Sequence, residues 1–153
     1  MRILELKVPP LAVLLVTALL MALSARALPA FALSFPSQEL IALGFALLGA
    51  TMSILGVLSF RRAGTTVNPL KPDASSSLVR SGVYTLTRNP MYLGFLMLLL
   101  GWGIYLSNAL ALLFLPAFLV YMNRFQIEPE EKALTARFGN EFVAYTTQVR
   151  RWL

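Results

Sequence analysis

The residues able to do chemistry gather in two short polar segments, 61–92 and 124–151. The first closes with Leu78-Val79-Arg80-Ser81-Gly82-Val83-Tyr84, then Arg88-Asn89-Pro90-Met91-Tyr92-Leu93-Gly94. The Asn-Pro step predicts a helix start, with Asn89 as cap and Pro90 at the first helical position. A helix N-terminus offers free backbone amides to an anion, and Arg88 beside it adds positive charge. The second segment begins Arg124-Phe125-Gln126-Ile127-Glu128-Pro129-Glu130-Glu131. Pro129 predicts a short helix whose first turn carries Glu130 and Glu131 and which Gly139 closes. The plain alternative is that both acids only complement the helix dipole, worth a few tenths to about 1 kcal/mol. Ile127, Leu134, Phe138, Phe142 and Tyr145 recur at helical spacing, as in an amphipathic piece lying on an interface. Neither segment alone specifies an enzyme.

The composition narrows the chemistry. The chain has no histidine and no cysteine among 153 residues. That removes thiolate chemistry, disulfides, the usual zinc ligands and the commonest neutral-pH general base. No metal site is therefore expected. Hydrophobic residues make up 58% and charged residues 13%, too little charge to cover a water-facing surface of this size.

The elements that must carry the two segments are membrane helices. Residues 8–25 and 40–60 hold no charge, and each is long enough to cross about 30 Å of hydrocarbon. A third uncharged run, 91–123, is too long for one crossing and short for two. It reads as a tight hairpin turning at Ser107-Asn108, with Asn108 capping the second leg and Pro116 kinking it. About four crossings result. The first run has a rival reading as a signal peptide, because Ala25-Arg26-Ala27 resembles a cleavage site. Its length and Glu5 in the flank favour a retained helix. On the second helix Gly49, Ser53 and Gly56 share a face, with Ala42, Ala46 and Ala50 nearby, and close helix packing accounts for them. No charge interrupts a span, which leaves ion or proton transport without its usual intramembrane group.

Four crossings place Arg2, Lys7, Arg61, Arg62, Lys71, Arg80, Arg88, Arg124, Lys132, Arg137, Arg150 and Arg151 on one face and only Arg26 on the other. The positive-inside rule then puts both termini and the 61–90 loop in the cytoplasm of a bacterial inner-membrane protein. The net charge of +6 is thereby explained by anionic headgroups, and no nucleic acid is expected. Both polar segments emerge on that face, where a water-soluble reagent can meet a membrane-dissolved one. The organisation is one membrane domain over 1–153, with two N-terminal helices in 1–60 and the functional core in 61–153.

In this order the motifs resemble the isoprenylcysteine carboxyl methyltransferase family and its phospholipid methyltransferase relatives. That pattern is a Leu-Val, a Gly-x-Tyr, an Arg-His-Pro-x-Tyr-x-Gly heading a helical hairpin, then a Glu-Glu pair, a Leu, a Phe-Gly and aromatics. Here it reads Leu78-Val79, Gly82-Val83-Tyr84, Arg88-Asn89-Pro90-Met91-Tyr92-Leu93-Gly94, Glu130-Glu131, Leu134, Phe138-Gly139 and Tyr145, over residues 76–152. Asn89 replaces the usual His and Phe142 a common Tyr. The resemblance implies an all-α integral membrane enzyme with a short helical cytoplasmic tail. It implies S-adenosylmethionine held by Ser77, Leu78, Val79, Tyr84, Asn89, Pro90, Met91, Tyr92 and Glu130. Arg88 and Glu131 are the expected catalytic residues. A lipid or lipid-linked acceptor would arrive near Arg124 and Gln126 and be methylated on carboxyl oxygen or amine nitrogen. A carboxylate needs no base, whereas an amine must lose a proton. A non-catalytic subunit on the same scaffold and an NADPH-dependent sterol-reductase-like enzyme are the alternatives. The sequence leaves the oligomeric state open.

Overall fold

A computed structural model describes residues 4–65, 68, 70 and 75–153, so Arg2 and Lys71 of the basic set lie outside the described residues. Among these residues every regular element is helical, apart from one isolated bridge between Ala32 and Asn108. The helices are α1 Pro10–Ala27, α2 Gln38–Arg62, α3 Pro90–Leu106, α4 Ala109–Leu112, α5 Phe114–Tyr121, α6 Glu128–Phe138 and α7 Asn140–Gln148. Three helical runs are long and apolar enough to cross a membrane, namely Pro10–Ala27, Gln38–Arg62 and Ala109–Phe138, and Pro90–Leu106 is a shorter apolar one. Only 17% of the apolar window is buried in α1 and likewise in α2. Leu15, Leu19, Leu40 and Leu47 lie exposed, a surface that lipid tails can cover and water cannot without cost.

The most extensive helix pair is α2 with α3. Gly49 meets the backbone of Gly94 and Leu98, Gly94 meets Ser53, and Gly101 meets the backbone of Ala42. The small-residue face of α2 thus lets two backbones approach, as expected where lipid supplies no hydrophobic drive between helices. Ser53 Oγ adds a bond to Met91 O at 3.3 Å. The other side of α3 packs on α1, where Trp102 Nε1 donates to Ala18 O at 3.0 Å. After α3 the chain turns through Ser107, which is left-handed at φ 52°. Asn108, buried, accepts from Leu110 N and donates to Leu28 O, both at 3.0 Å, so it caps α4 as its sequence position predicts.

Pro116 has its expected effect, because regular helix breaks at Leu113 between α4 and α5. Pro129 stands in the first turn of α6 together with Glu130 and Glu131, and Gly139 ends that helix, as expected; what the sequence does not announce is the π-helical turn, Met122–Ile127, that joins α5 to α6 without a gap. Pro129 has no N–H for the carbonyl of Phe125, and Leu6 N takes that carbonyl at 3.0 Å instead. Arg124 also pairs with Glu5 at 3.0 Å, so the chain before α1 is pinned to the π turn. The run 109–138 has 30 residues, about 45 Å of helix against about 30 Å of hydrocarbon. Because charge begins at Arg124, the overhang is residues 124–138. Gly139, at φ 52°, then separates α6 from α7.

Candidate active site

The first turn of α3, the head of α6 and the 75–89 segment converge on one pocket, with α7 closing a side. Ten of the predicted residues line it: Ser77, Leu78, Val79, Tyr84, Arg88, Asn89, Met91, Tyr92, Glu130 and Glu131. Pro90 does not. It is buried at the start of α3 and packs toward Gly56.

Glu130 is recessed within the pocket. One of its oxygens, Oε1, accepts from Tyr92 Oη and from Gln126 Nε2, both at 2.6 Å. Burial pushes its carboxyl up from 4.5 to about 7, against these two bonds, which favour the carboxylate. Both donors are neutral, so the charge of an ionised Glu130 is stabilised without a cation. Gln126, expected beside the acceptor, is instead buried and spends its amide on Glu130, one helical turn ahead.

Glu131 meets two guanidinium groups. Arg88 Nη2 lies 3.1 Å from Oε1. Arg151 donates from Nε to Oε1 at 3.2 Å and from Nη2 to Oε2 at 2.6 Å. The cluster of two cations and one anion carries an excess positive charge. Arg88 Nε is buried with no hydrogen-bond partner, a donor that an anion in the pocket can satisfy. Arg124, expected at the acceptor, is not among the lining residues. It lies between Glu5 at 3.0 Å and Glu128 at 3.6 Å.

Asn89 stands at the cap position of α3 but makes no cap bond. Its Nδ2 donates to Arg151 O at 2.9 Å, a competing acceptor the local sequence does not reveal. The anion-attracting amides of α3 are left without a side-chain cap.

Seven further residues line the pocket: Phe60, Asn68 and Ser75, which the sequence does not single out, and Ile127, Leu134, Phe142 and Tyr145, which it marks by helical spacing without a place in the site. Phe60 meets Tyr84 edge-on at 5.4 Å between ring centres. Tyr145 Oη donates to Tyr84 O at 2.6 Å, which fixes α7 against the pocket. Burial pushes the Tyr145 phenol up to about 12 and raises that of Tyr84 further, so both remain protonated donors rather than bases. The helical spacing of Leu134, Phe142 and Tyr145 was a usable signal. Phe60, at the far end of α2, carried none.

The phospholipid methyltransferase family profile matches residues 38–141. An uncharacterised protein of Haemophilus influenzae is 46% identical over 63 residues, covering 41% of this chain and 100% of that protein. Protein-S-isoprenylcysteine O-methyltransferase B of Arabidopsis thaliana is 32% identical over 111 residues, 66% of this chain and 55% of that enzyme. Protein-S-isoprenylcysteine O-methyltransferase of Saccharomyces cerevisiae is 31% identical over 109 residues, 67% of this chain and 46% of that enzyme. The chain thus spans about half the length of these two methyltransferases. No solved structure matches it.

Proposed function

The chain belongs to the phospholipid methyltransferase family, and from that premise we propose that it is an integral-membrane, S-adenosylmethionine-dependent methyltransferase acting on a lipid or lipid-linked acceptor. The observation that carries the reading is the composition of the pocket wall. It sets a carboxylate held by neutral donors beside a guanidinium with a buried, unpartnered Nε, within an aromatic surround. Such a wall suits a molecule that is anionic at one end, cationic elsewhere and carries an aromatic base. S-adenosylmethionine has those groups, and when bound it supplies an electrophilic methyl.

In this reading Glu130 holds a cationic or hydroxyl group of the donor, with Tyr92 and Gln126 fixing its oxygen. Arg88 and the uncapped start of α3 take the donor carboxylate, and Glu131 positions Arg88. Leu78, Val79 and Met91 supply apolar contact, and Tyr84 an aromatic face. Ser77 and Asn89 offer hydrogen bonds at the rim. The catalytic contribution is placement and charge, which an in-line displacement needs more than proton transfer.

The membrane arrangement belongs to the same reading. It has four crossings, the last two a hairpin turning at Ser107-Asn108, with both termini on the cytoplasmic side of a bacterial inner membrane. Supporting this are the charge-free spans and the basic residues gathered beyond their ends. The acceptor then approaches laterally through lipid, and Arg124 stands at the level where its reacting atom would arrive.

A transfer assay with methyl-labelled donor and a membrane lipid extract tests the function. The expected result is label in the lipid phase. Label confined to water-soluble acceptors would refute the lipid acceptor.

A further inference from the structure

Arg151 joins three parts of the site at once. Its backbone carbonyl accepts from Thr87 Oγ1 at 3.1 Å and from Asn89 Nδ2 at 2.9 Å. Its guanidinium holds both oxygens of Glu131, at 3.2 and 2.6 Å. Its neighbours reinforce the placement: Arg88 N donates to Arg150 O at 3.0 Å, and Trp152 Nε1 to Asn123 Oδ1 at 3.1 Å. The segment 150–152 is therefore fastened to the entrance of α3 and to the π turn, through bonds that do not use the Arg151 side chain.

We propose that Arg151 is a positioning residue for the donor site, acting through Glu131 to keep the Arg88 guanidinium open to the donor's carboxylate. The inference rests on the donor reading above. A free carboxylate and a guanidinium close a two-bond fork when nothing competes. Here Arg151 occupies Oε2 and shares Oε1, so Arg88 reaches Glu131 through Nη2 alone. The Nε of Arg88 is left buried and unpartnered. Without the Arg151 side chain, Glu131 is free to close the fork on Arg88. The cluster then becomes neutral, and the attraction for an anion is lost. The backbone carbonyl survives substitution, so the fastening of Thr87 and Asn89 persists and the fold should as well.

The test compares two ligands on the purified full chain, S-adenosylmethionine and its decarboxylated analogue, by calorimetric titration. Arg151→Ala should weaken S-adenosylmethionine by roughly three- to tenfold, with an unchanged thermal midpoint and unchanged affinity for the analogue. Arg151→Lys should not restore the loss, because one ammonium cannot hold both carboxylate oxygens in a fork. Lys also serves as the test variant should the Ala protein fail to fold. Equal affinity of variant and wild type for S-adenosylmethionine would overturn the proposal. So would a parallel loss for both ligands, or full rescue by Lys. Wild type that binds neither ligand would instead remove the donor reading, and this inference with it.

Discussion

With Tyr92 and Gln126 donating to one oxygen of Glu130 and burial raising its pKa from 4.5 to about 7, the site should be sensitive to pH. A raised folded-state value means that Glu130 favours the fold fully below 4.5, a contribution lost as pH rises through about 7. Binding runs the other way, because a cationic donor requires the carboxylate. Affinity should fall as pH drops through about 7, and Glu130→Gln should flatten that dependence; a series of titrations at different pH reads both. Arg124 gives a second prediction. Glu5 and Glu128 already engage it, so Arg124→Lys should keep both donor affinity and turnover. Loss of turnover in Arg124→Lys and Arg124→Ala alike, with donor affinity intact, would instead assign it to acceptor recognition. At this scale sequence named most of the lining, because the Arg88–Gly94 and Glu130-Glu131 runs are contiguous. It did not show that the amide of Gln126 turns onto Glu130, and it passed over Arg151, whose Arg150-Arg151 pair reads only as interfacial charge until the chain is folded.

The α2–α3 contact decides whether the site is assembled, since α3 carries Tyr92 on its first turn and α2 carries Phe60. A side chain at Gly94 would drive into Ser53 and the backbone of Gly49, whereas one at Gly44 meets nothing within 4 Å. Gly94→Val should therefore destabilise by about 1–3 kcal/mol, while Gly44→Ala should be near neutral or slightly stabilising. Unfolding in mixed detergent checks the pair, and equal behaviour of the two variants would contradict the close-packing account. The small-residue face of α2 was legible because Gly49, Ser53 and Gly56 repeat at helical spacing. Pro116 and Asn108 were legible because their effects are local. The π turn was not. Within it, the carbonyl that Pro129 leaves free is taken by Leu6, more than a hundred residues away in sequence.

For the molecule as a whole, charge placement predicts both termini and the 61–90 loop on one side of the membrane. Reporters fused after Leu153 and after Gly64 should both be active in the cytoplasm, and periplasmic activity of either would break the four-crossing arrangement. Retention of α1 belongs to the same prediction. It packs on α3 through Trp102 and Ala18, so a mature chain beginning near Leu28 would contradict it. The all-helical class was legible from the uncharged runs alone, because only apolar solvent tolerates them. The pocket was not, since it needs the 75–89 segment, α3, α6 and α7 in contact. Whether this pocket holds S-adenosylmethionine is read by calorimetric titration of the purified wild-type chain. Saturable binding of S-adenosylmethionine is expected, weakened about tenfold by Glu130→Ala or Tyr92→Ala, with no uptake of NADPH; well-folded protein that binds NADPH, or takes up no S-adenosylmethionine at all, would overturn the assignment of this pocket.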